Sequence, residues 1–140
     1  MITNSRFMRV LANKPVDRTP IWLMRQAGRY LPEYRELRSS AGSFMKLCKS
    51  PELAATVTMQ PLARFDLDAA IIFSDILTIP DACGLELEII EKQGPVFNKT
   101  IRTKQDALNL PQLDIEIDLK YVLDAIKITK DKLASKNIPL

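Results

Sequence analysis

Residues 67–75 read LDAAIIFSD, and this stretch decides the fold class. Its centre, Ala69 to Phe73, is continuously apolar, and a carboxylate, Asp75, follows directly after Ser74. A strand that helices cover on both faces has this composition, as in the parallel sheet of an α/β protein. We therefore predict a buried parallel strand here, with Asp75 at its carboxyl end.

Upstream of this strand the sequence alternates between helix and strand signals. The patterns predict a short helix over residues 3–12, a buried strand over 20–24 and a helical turn or short helix over 31–38. Ser50-Pro51-Glu52 marks the start of a longer helix, because it supplies an N-cap, a proline at the first helical position and an acid in the first turn. We expect that helix to reach about Phe65, with Pro61 kinking or shortening it.

Downstream, the pattern changes from strand back to helix. Strict alternation predicts a half-exposed strand over residues 85–89, followed by a turn over 93–95 and a returning strand over 96–101. Thr103 is expected to cap a short helix through Leu108, and an amphipathic helix is predicted from Leu119 to about Lys136. This order favours an α/β fold with parallel strands. The last apolar residues, 138–140, open a strand that is not completed, so we expect a truncated chain.

Composition narrows the classes of function. The chain of 140 residues has a net charge of +3 and no basic run, so nucleic acid is not an expected partner. No apolar run approaches the ~18 residues that span a membrane, and the N-terminus lacks signal-peptide features, so we expect a cytoplasmic location. Cys48 and Cys83 are predicted to be reduced, packed thiols. The absence of histidine excludes a histidine base or histidine metal site built from these residues.

Residues 25–30, RQAGRY, follow directly on the first predicted strand. Ligands of α/β folds lie at the carboxyl ends of parallel strands, where we also expect Asp75. Arg25 and Arg29 offer planar forks of donors that suit carboxylates and phosphates. Gly28 permits unusual backbone angles beside the small Ala27. The loop is therefore predicted to hold an anion near the Asp75 carboxylate.

Structural roles remain open for the same groups. The two arginines of the loop are also consistent with surface side chains that stack on Tyr30 or pair with Glu33 and Glu36. A carboxylate directly after an apolar run is costly unless it is paired or used. Asp75 is accordingly also consistent with a helix cap for the segment that begins at Ile76, or with an ion pair to an arginine.

Three segments carry a more specific resemblance. Residues 20–35 read PIWLMRQAGRYLPEYR, residues 60–77 read QPLARFDLDAAIIFSDIL, and residues 94–97 read GPVF. In this order and spacing they resemble the signature sequences of the uroporphyrinogen decarboxylase family. The resemblance extends over essentially all 140 residues.

The resemblance implies a (β/α)8 TIM barrel. Residues 1–140 would form the N-terminal portion of that single domain, apparently truncated, with a helical extension at the N-terminus and a β-hairpin insertion. The implied protein is a cytosolic homodimer without metal or organic cofactor. It would remove carbon dioxide from the four acetate side chains of uroporphyrinogen III, giving coproporphyrinogen III in haem and porphyrin biosynthesis. A whole barrel takes roughly 250 residues, so we expect the chain alone to be inactive.

The resemblance also implies roles for individual residues. Asp75 would be the catalytic carboxylate and would contact the substrate. The other implied substrate-binding residues are Arg25, Gln26, Ala27, Gly28, Arg29 and Arg38. Two other functions stay open: a barrel methyltransferase that acts on corrinoid or thiol substrates, and a non-catalytic anion-binding fragment.

Overall fold

A computed structural model describes residues 5–90 and 93–140. Residues 3 and 4 of the predicted helix over 3–12 lie outside the described residues, and Arg6–Leu11 of it form a helix. The elements are α1 (Arg6–Leu11), α2 (Pro32–Ser40), α3 (Phe44–Lys49), α4 (Pro51–Arg64), α5 (Thr78–Ala82), β1 (Leu87–Ile90), β2 (Gly94–Phe97), α6 (Lys104–Leu108), α7 (Ile115–Asp118) and α8 (Lys120–Leu133). The chain is therefore a mixture of helices and strands.

Capping residues fix where two of the helices begin. The Ser50 hydroxyl accepts a hydrogen bond from the Leu53 N–H at the start of α4. Thr103 caps α6, and the Asp106 carboxylate returns a bond to the Thr103 N–H, which completes a capping box. Both predicted starts are confirmed. Pro61 is accommodated inside α4, which continues to Arg64.

The boundaries of other helices differ from the prediction. Helix α8 ends at Leu133 instead of Lys136, and residues 134–137 form turns in which Asn137 has a φ of 50°. Helix α3 was not predicted, although Ser43 caps it by accepting a bond from the Lys46 N–H. Its six residues are too short for a periodic pattern to emerge above the surrounding sequence.

The two predicted parallel strands over 20–24 and 67–75 are not formed as paired strands in the part of the chain that the structure describes. Both segments are extended, yet only isolated backbone bonds join them to neighbours: Asp68 N–H donates to the Ile21 carbonyl, and Ala70 N–H donates to the Pro139 carbonyl, each at 2.8 Å. A β-ladder needs a repeated series of such bonds. Met24 is 81% exposed, so within the described residues no second strand covers this side of the segment.

The hairpin is present, but the bounds of both strands differ from the prediction: β1 covers Leu87–Ile90 instead of 85–89, and Gly94 and Pro95, predicted as part of a turn, belong to β2. Strands β1 and β2 pair antiparallel, with Ile89 opposite Pro95 and Leu87 opposite Phe97. Strand β2 runs from Gly94 to Phe97 and does not extend to residue 101. Ile89 and Pro95 therefore stand on one face of the hairpin, because side chains alternate along each strand.

The core lies under the loop that follows residue 24. Leu31, Tyr34, Leu47 and Val57 are buried together, and the half-buried Phe73 packs against them. The ring of Phe73 makes an edge contact with the Tyr34 ring, at 5.8 Å between centroids. This contact joins helix α2 to the extended segment that ends in Asp75, and so it positions the two sides of the site described below.

An ion network joins the N-terminal segment to the segment over 67–75. The buried Asp68 carboxylate accepts bonds from the Arg6 guanidinium and, at 2.8 Å, from the Ile21 N–H. Arg18 lies 3.5 Å from the same carboxylate, and Arg6 also forms a two-point contact with Asp17.

None of the helices over residues 5–90 and 93–140 has the length and apolar character of a membrane-spanning segment.

Candidate functional site

A cavity of about 820 Å³ opens beside the Asp75 segment. Its walls are the loop over residues 25–30, the extended residues 71–75, helix α2 and the β1–β2 hairpin. All seven predicted site residues line it, namely Arg25, Gln26, Ala27, Gly28, Arg29, Arg38 and Asp75. Its size is within the range of ~300–1,000 Å³ that is usual for ligand pockets. The structure thus brings these residues together, while their binding of a substrate remains a prediction.

An unusual backbone angle and a close backbone approach shape the loop over 25–30. Arg25 has a φ of 57°, in the left-handed region that non-glycine residues rarely adopt. A Cβ atom at Gly28 would lie 3.3 Å from the Arg25 carbonyl oxygen, so a side chain at this position would force the backbone of the turn to shift slightly. Arg35 donates to the Arg29 carbonyl at 2.8 Å and attaches the far end of the loop to helix α2.

Within the described residues, Arg25 and Arg29 form none of the alternative surface pairs. Glu33 instead forms a two-point contact with Arg64, at 2.6 and 2.9 Å. Tyr30 stacks on Phe65 and donates its hydroxyl to the Gln26 carbonyl. Among residues 5–90 and 93–140, no ion pair within 4.0 Å involves an arginine that lines the cavity. Their guanidinium groups are therefore available to an anion.

One of the two carboxylate oxygens of Asp75 has a structural role. Oδ1 accepts a hydrogen bond from the Leu77 N–H at 2.8 Å, in the turn that leads into helix α5. The Asp75 carbonyl accepts from the Thr78 hydroxyl at 2.9 Å. The bond stabilises this turn, whereas the predicted helix cap is not formed, because Leu77 is the N-cap of α5 and no side chain caps that helix. The predicted ion pair with an arginine is also absent from the described residues. The same part of the structure offers no hydrogen-bond donor to Oδ2, which leaves that oxygen for a ligand.

Burial, with a smaller effect of nearby charges, shifts the pKa values of Cys48 and of Tyr34, which lines the cavity. Burial raises the pKa of the Cys48 thiol to about 12, the negative charge of Asp75 adds to the shift, and Arg38 opposes it. Burial also raises the pKa of the Tyr34 phenol, while Arg38 and Arg29 act in the opposite direction. Both groups are therefore neutral near pH 7. The cavity itself carries three arginines and one aspartate, a net positive balance.

Apolar walls complete the cavity, and the sequence analysis did not identify them as part of a site. Phe44, Ile72 and Phe73 line one side, and Ile89 and Pro95 of the hairpin line another. The alternation in residues 85–89 indicated that Ile89 would lie on the same face as Leu87, but the sequence carries no signal for what that face meets. The arrangement suits a large anion that has an apolar body and charged edges.

Comparison with known proteins adds a family and a fold. The family model described as uroporphyrinogen decarboxylase (URO-D) matches residues 2–140. A curated uroporphyrinogen decarboxylase from Acinetobacter baumannii is 58% identical over 139 residues, and one from Tolumonas auensis is 60% identical over 139 residues. Each alignment covers 99% of this chain and 39% of the relative, so the chain spans well under half of their length.

The comparison of structures gives a likeness at lower sequence identity. A methyltransferase from Methanosarcina mazei aligns with a TM-score of 0.69 at 23% identity, covering 96% of this chain and 39% of that protein. At this identity the likeness is evidence about the fold alone.

Proposed function

The chain belongs to the uroporphyrinogen decarboxylase family, and from that premise we propose that it forms the N-terminal portion of a single (β/α)8 barrel domain. Helix α1 would be the N-terminal extension. The hairpin of β1 and β2 would be an insertion on the side of the barrel where the ligand binds. The extended segments over 20–24 and 67–75 would be barrel strands that gain their full ladders from the complete sheet.

The proposed activity is removal of carbon dioxide from the four acetate side chains of uroporphyrinogen III, which yields coproporphyrinogen III. The observation that carries it is the cavity, whose lining combines one aspartate, apolar side chains and three arginines that form no ion pair among the described residues. The substrate has the same distribution, with eight carboxylates around an apolar ring system and four pyrrole N–H groups at its centre. Arg25, Arg29 and Arg38 would bind carboxylates, and Asp75 would accept hydrogen bonds from pyrrole N–H groups.

Decarboxylation needs a group that accepts electrons, and the pyrrole ring itself can serve. The ring takes up a proton at the carbon beside the one that bears the acetate. The bond to the carboxylate then breaks, and its electron pair neutralises the ring as carbon dioxide leaves. The exocyclic carbon next takes up a proton while the ring carbon releases its own, so CH2COO⁻ becomes CH3. Asp75 would stabilise the cationic ring electrostatically, and no cofactor is required in this scheme.

Further parts of the proposal concern the whole protein. By analogy with the family, we expect a cytoplasmic homodimer. Neither nucleic acid nor a membrane is an expected partner. The complete barrel would supply the remaining walls of the cavity, and so the 140-residue chain should be inactive by itself.

A chimera tests the activity. The chain replaces the matching 139 residues of the Acinetobacter baumannii relative, and uroporphyrinogen decarboxylation is followed by counting the carboxyl groups that remain on the product. We expect the chimera to form coproporphyrinogen and the isolated chain to form none. The unmodified relative is the positive control. A folded chimera that leaves all eight carboxyl groups in place would refute the proposed activity and would return attention to methyl transfer or simple anion binding.

A further inference from the structure

The side chain of Gln26 is buried under the loop that carries the two arginines. The residue is 2% exposed, although it lies between Arg25 and Ala27 on the rim of the cavity. Its Oε1 accepts a hydrogen bond from the Leu23 N–H at 3.2 Å. Its Nε2 donates to the Ala69 carbonyl at 3.0 Å, across 43 residues of sequence. Both ends of the carboxamide are therefore engaged by the protein.

These two bonds connect the halves of the cavity. Leu23 lies two residues before the first arginine of the loop, and Ala69 lies in the segment that leads to Asp75. A carboxamide suits this position because it has one acceptor and one donor end, which match the Leu23 N–H and the Ala69 carbonyl. The main-chain carbonyl of Gln26 also accepts the Tyr30 hydroxyl, which fixes the other end of the loop.

We infer that Gln26 is a positioning residue, which sets the distance between the arginine loop and the Asp75 segment without touching the substrate through its side chain. For the identity of the substrate, this inference rests on the proposed function. The connection that the two side-chain bonds of Gln26 make between Leu23 and Ala69, called the linkage below, rests on the geometry alone. It revises the role that the resemblance implies for Gln26, from a binding residue to one that acts through Arg25, Arg29 and Asp75.

Two substitutions separate the linkage from general packing. Gln26→Met keeps the length of the side chain and removes both hydrogen bonds. Gln26→Glu keeps the acceptor for the Leu23 N–H but, when ionised, directs a carboxylate at the Ala69 carbonyl. When protonated, the introduced carboxyl again has a donor and an acceptor and restores both bonds. Burial raises the pKa of such a carboxyl, so restoration should occur as pH falls toward the mildly acidic range.

The single tryptophan of the chain, Trp22, reports on the linkage. It directly precedes Leu23 and is 44% exposed, so a loosened loop should increase its quenching by acrylamide. We expect Gln26→Met to increase quenching at every pH. Gln26→Glu should behave like Gln26→Met at pH 8 and like the wild type at mildly acidic pH. Far-UV circular dichroism at each pH confirms that the variants stay folded.

Binding of uroporphyrin, a stable planar octacarboxylate, is measured on the same 140-residue chains at pH 8. The loss of a buried hydrogen bond corresponds to about a tenfold weaker affinity for both Gln26 variants. The effect should be much smaller in a background of Arg25→Ala and Arg29→Ala, because a positioning residue acts through the groups it positions and only Asp75 of these would remain. Gln105→Met on helix α6 is the matched control, since Gln105 is exposed and bonds only within its own helix.

Trp22 quenching and uroporphyrin binding test different parts of the inference, so each can contradict it separately. If Gln26→Glu and Gln26→Met quench alike at every pH, or neither differs from the wild type, the inference about Gln26 is wrong. If the Trp22 pattern appears but the wild-type chain has no affinity for uroporphyrin, the linkage holds and the proposed substrate is wrong. If binding falls equally in the double-arginine background, Gln26 acts through folding rather than through the arginines, and the inference is again wrong.

Discussion

At the residue scale, the two oxygens of Asp75 have different tasks. Oδ1 shapes the turn before helix α5, and Oδ2 has no donor within the described residues. From the sequence, a helix cap and a functional carboxylate were competing interpretations. The structure shows a turn-stabilising oxygen in place of the helix cap, and it leaves the second oxygen free for the function that we propose. A pattern of residue types cannot distinguish the two oxygens, and so this division could not be predicted.

Because the two Asp75 oxygens have different partners, a conservative substitution can separate the structural role of Asp75 from its proposed catalytic role. Asp75→Asn keeps an oxygen acceptor for the Leu77 N–H and removes the charge. We expect the chimera with this change to unfold at the same temperature as the parent but to decarboxylate about 10²–10³-fold more slowly, because it loses electrostatic stabilisation of the cationic ring. Steady-state rates and thermal unfolding are measured together.

Asp66→Asn is the control for that experiment. Its side chain is 93% exposed and pairs with Arg18 outside the cavity, so the rate should not change. An Asp75→Asn chimera that retains the parent rate would show that Asp75 serves only the turn.

At the element scale, capping chemistry predicted helices well and periodicity predicted strands less well. Ser50-Pro51 and Thr103 act within one turn of chain, so their outcome depends on neighbours that the sequence displays. The strands over 20–24 and 67–75 depend on partners distant along the chain. Their apolar composition was recognised, but composition does not determine how many ladder bonds a segment finds.

The hairpin supplies the sharpest test at this scale. Ile89 and Ile90 are adjacent and almost equally exposed, at 41% and 39%, yet Ile89 lines the cavity and Ile90 does not. We expect Ile89→Asn to weaken uroporphyrin binding by the 140-residue chain about fivefold, through loss of apolar contact. Ile90→Asn should leave the affinity unchanged. Equal losses in both variants, measured by fluorescence titration, would mean that the hairpin contributes stability and no contact surface.

At the scale of the whole molecule, side-chain ion pairs connect segments that are far apart in sequence. Arg6 pairs with Asp17 and with Asp68, and Arg64 pairs with Glu33. Isolated pairs of exposed charges stabilise proteins weakly. The buried Asp68 differs, because it also accepts the Ile21 N–H, and removal of its arginine partners would leave a buried charge without compensation. None of these pairs could be predicted from sequence, since opposite charges are abundant and their partners are not specified.

These pairs predict how stability depends on pH. The hydrogen bond from Arg6 holds the pKa of Asp17 well below its ordinary value of 3.8, and the bond from Arg64 lowers the pKa of Glu33. A carboxylate whose pKa is lowered by folding stabilises the folded state above its ordinary pKa. That stabilisation is lost as pH falls through the lower, folded value. We therefore expect the melting temperature of the chain to decline below about pH 4.

Substitution identifies the contribution of Asp17 to this decline. Asp17→Asn should lower the melting temperature at pH 7 and make its fall in acid shallower. Glu116→Gln, an exposed change on helix α7, is the control and should follow the wild-type curve. If Asp17→Asn also follows the wild-type curve, the N-terminal segment is held by Asp68 and by packing instead.

The left-handed backbone of Arg25 has a consequence for any attempt to make the protein more robust. An arginine at a φ of 57° carries a conformational penalty of roughly 1–2 kcal/mol relative to a residue that tolerates this region. Asparagine or glycine would relieve the penalty and would also remove the cation. Screening for heat resistance alone would therefore select against the charge that the proposed chemistry needs. At Arg25, therefore, the residue that favours thermostability differs from the residue that favours activity.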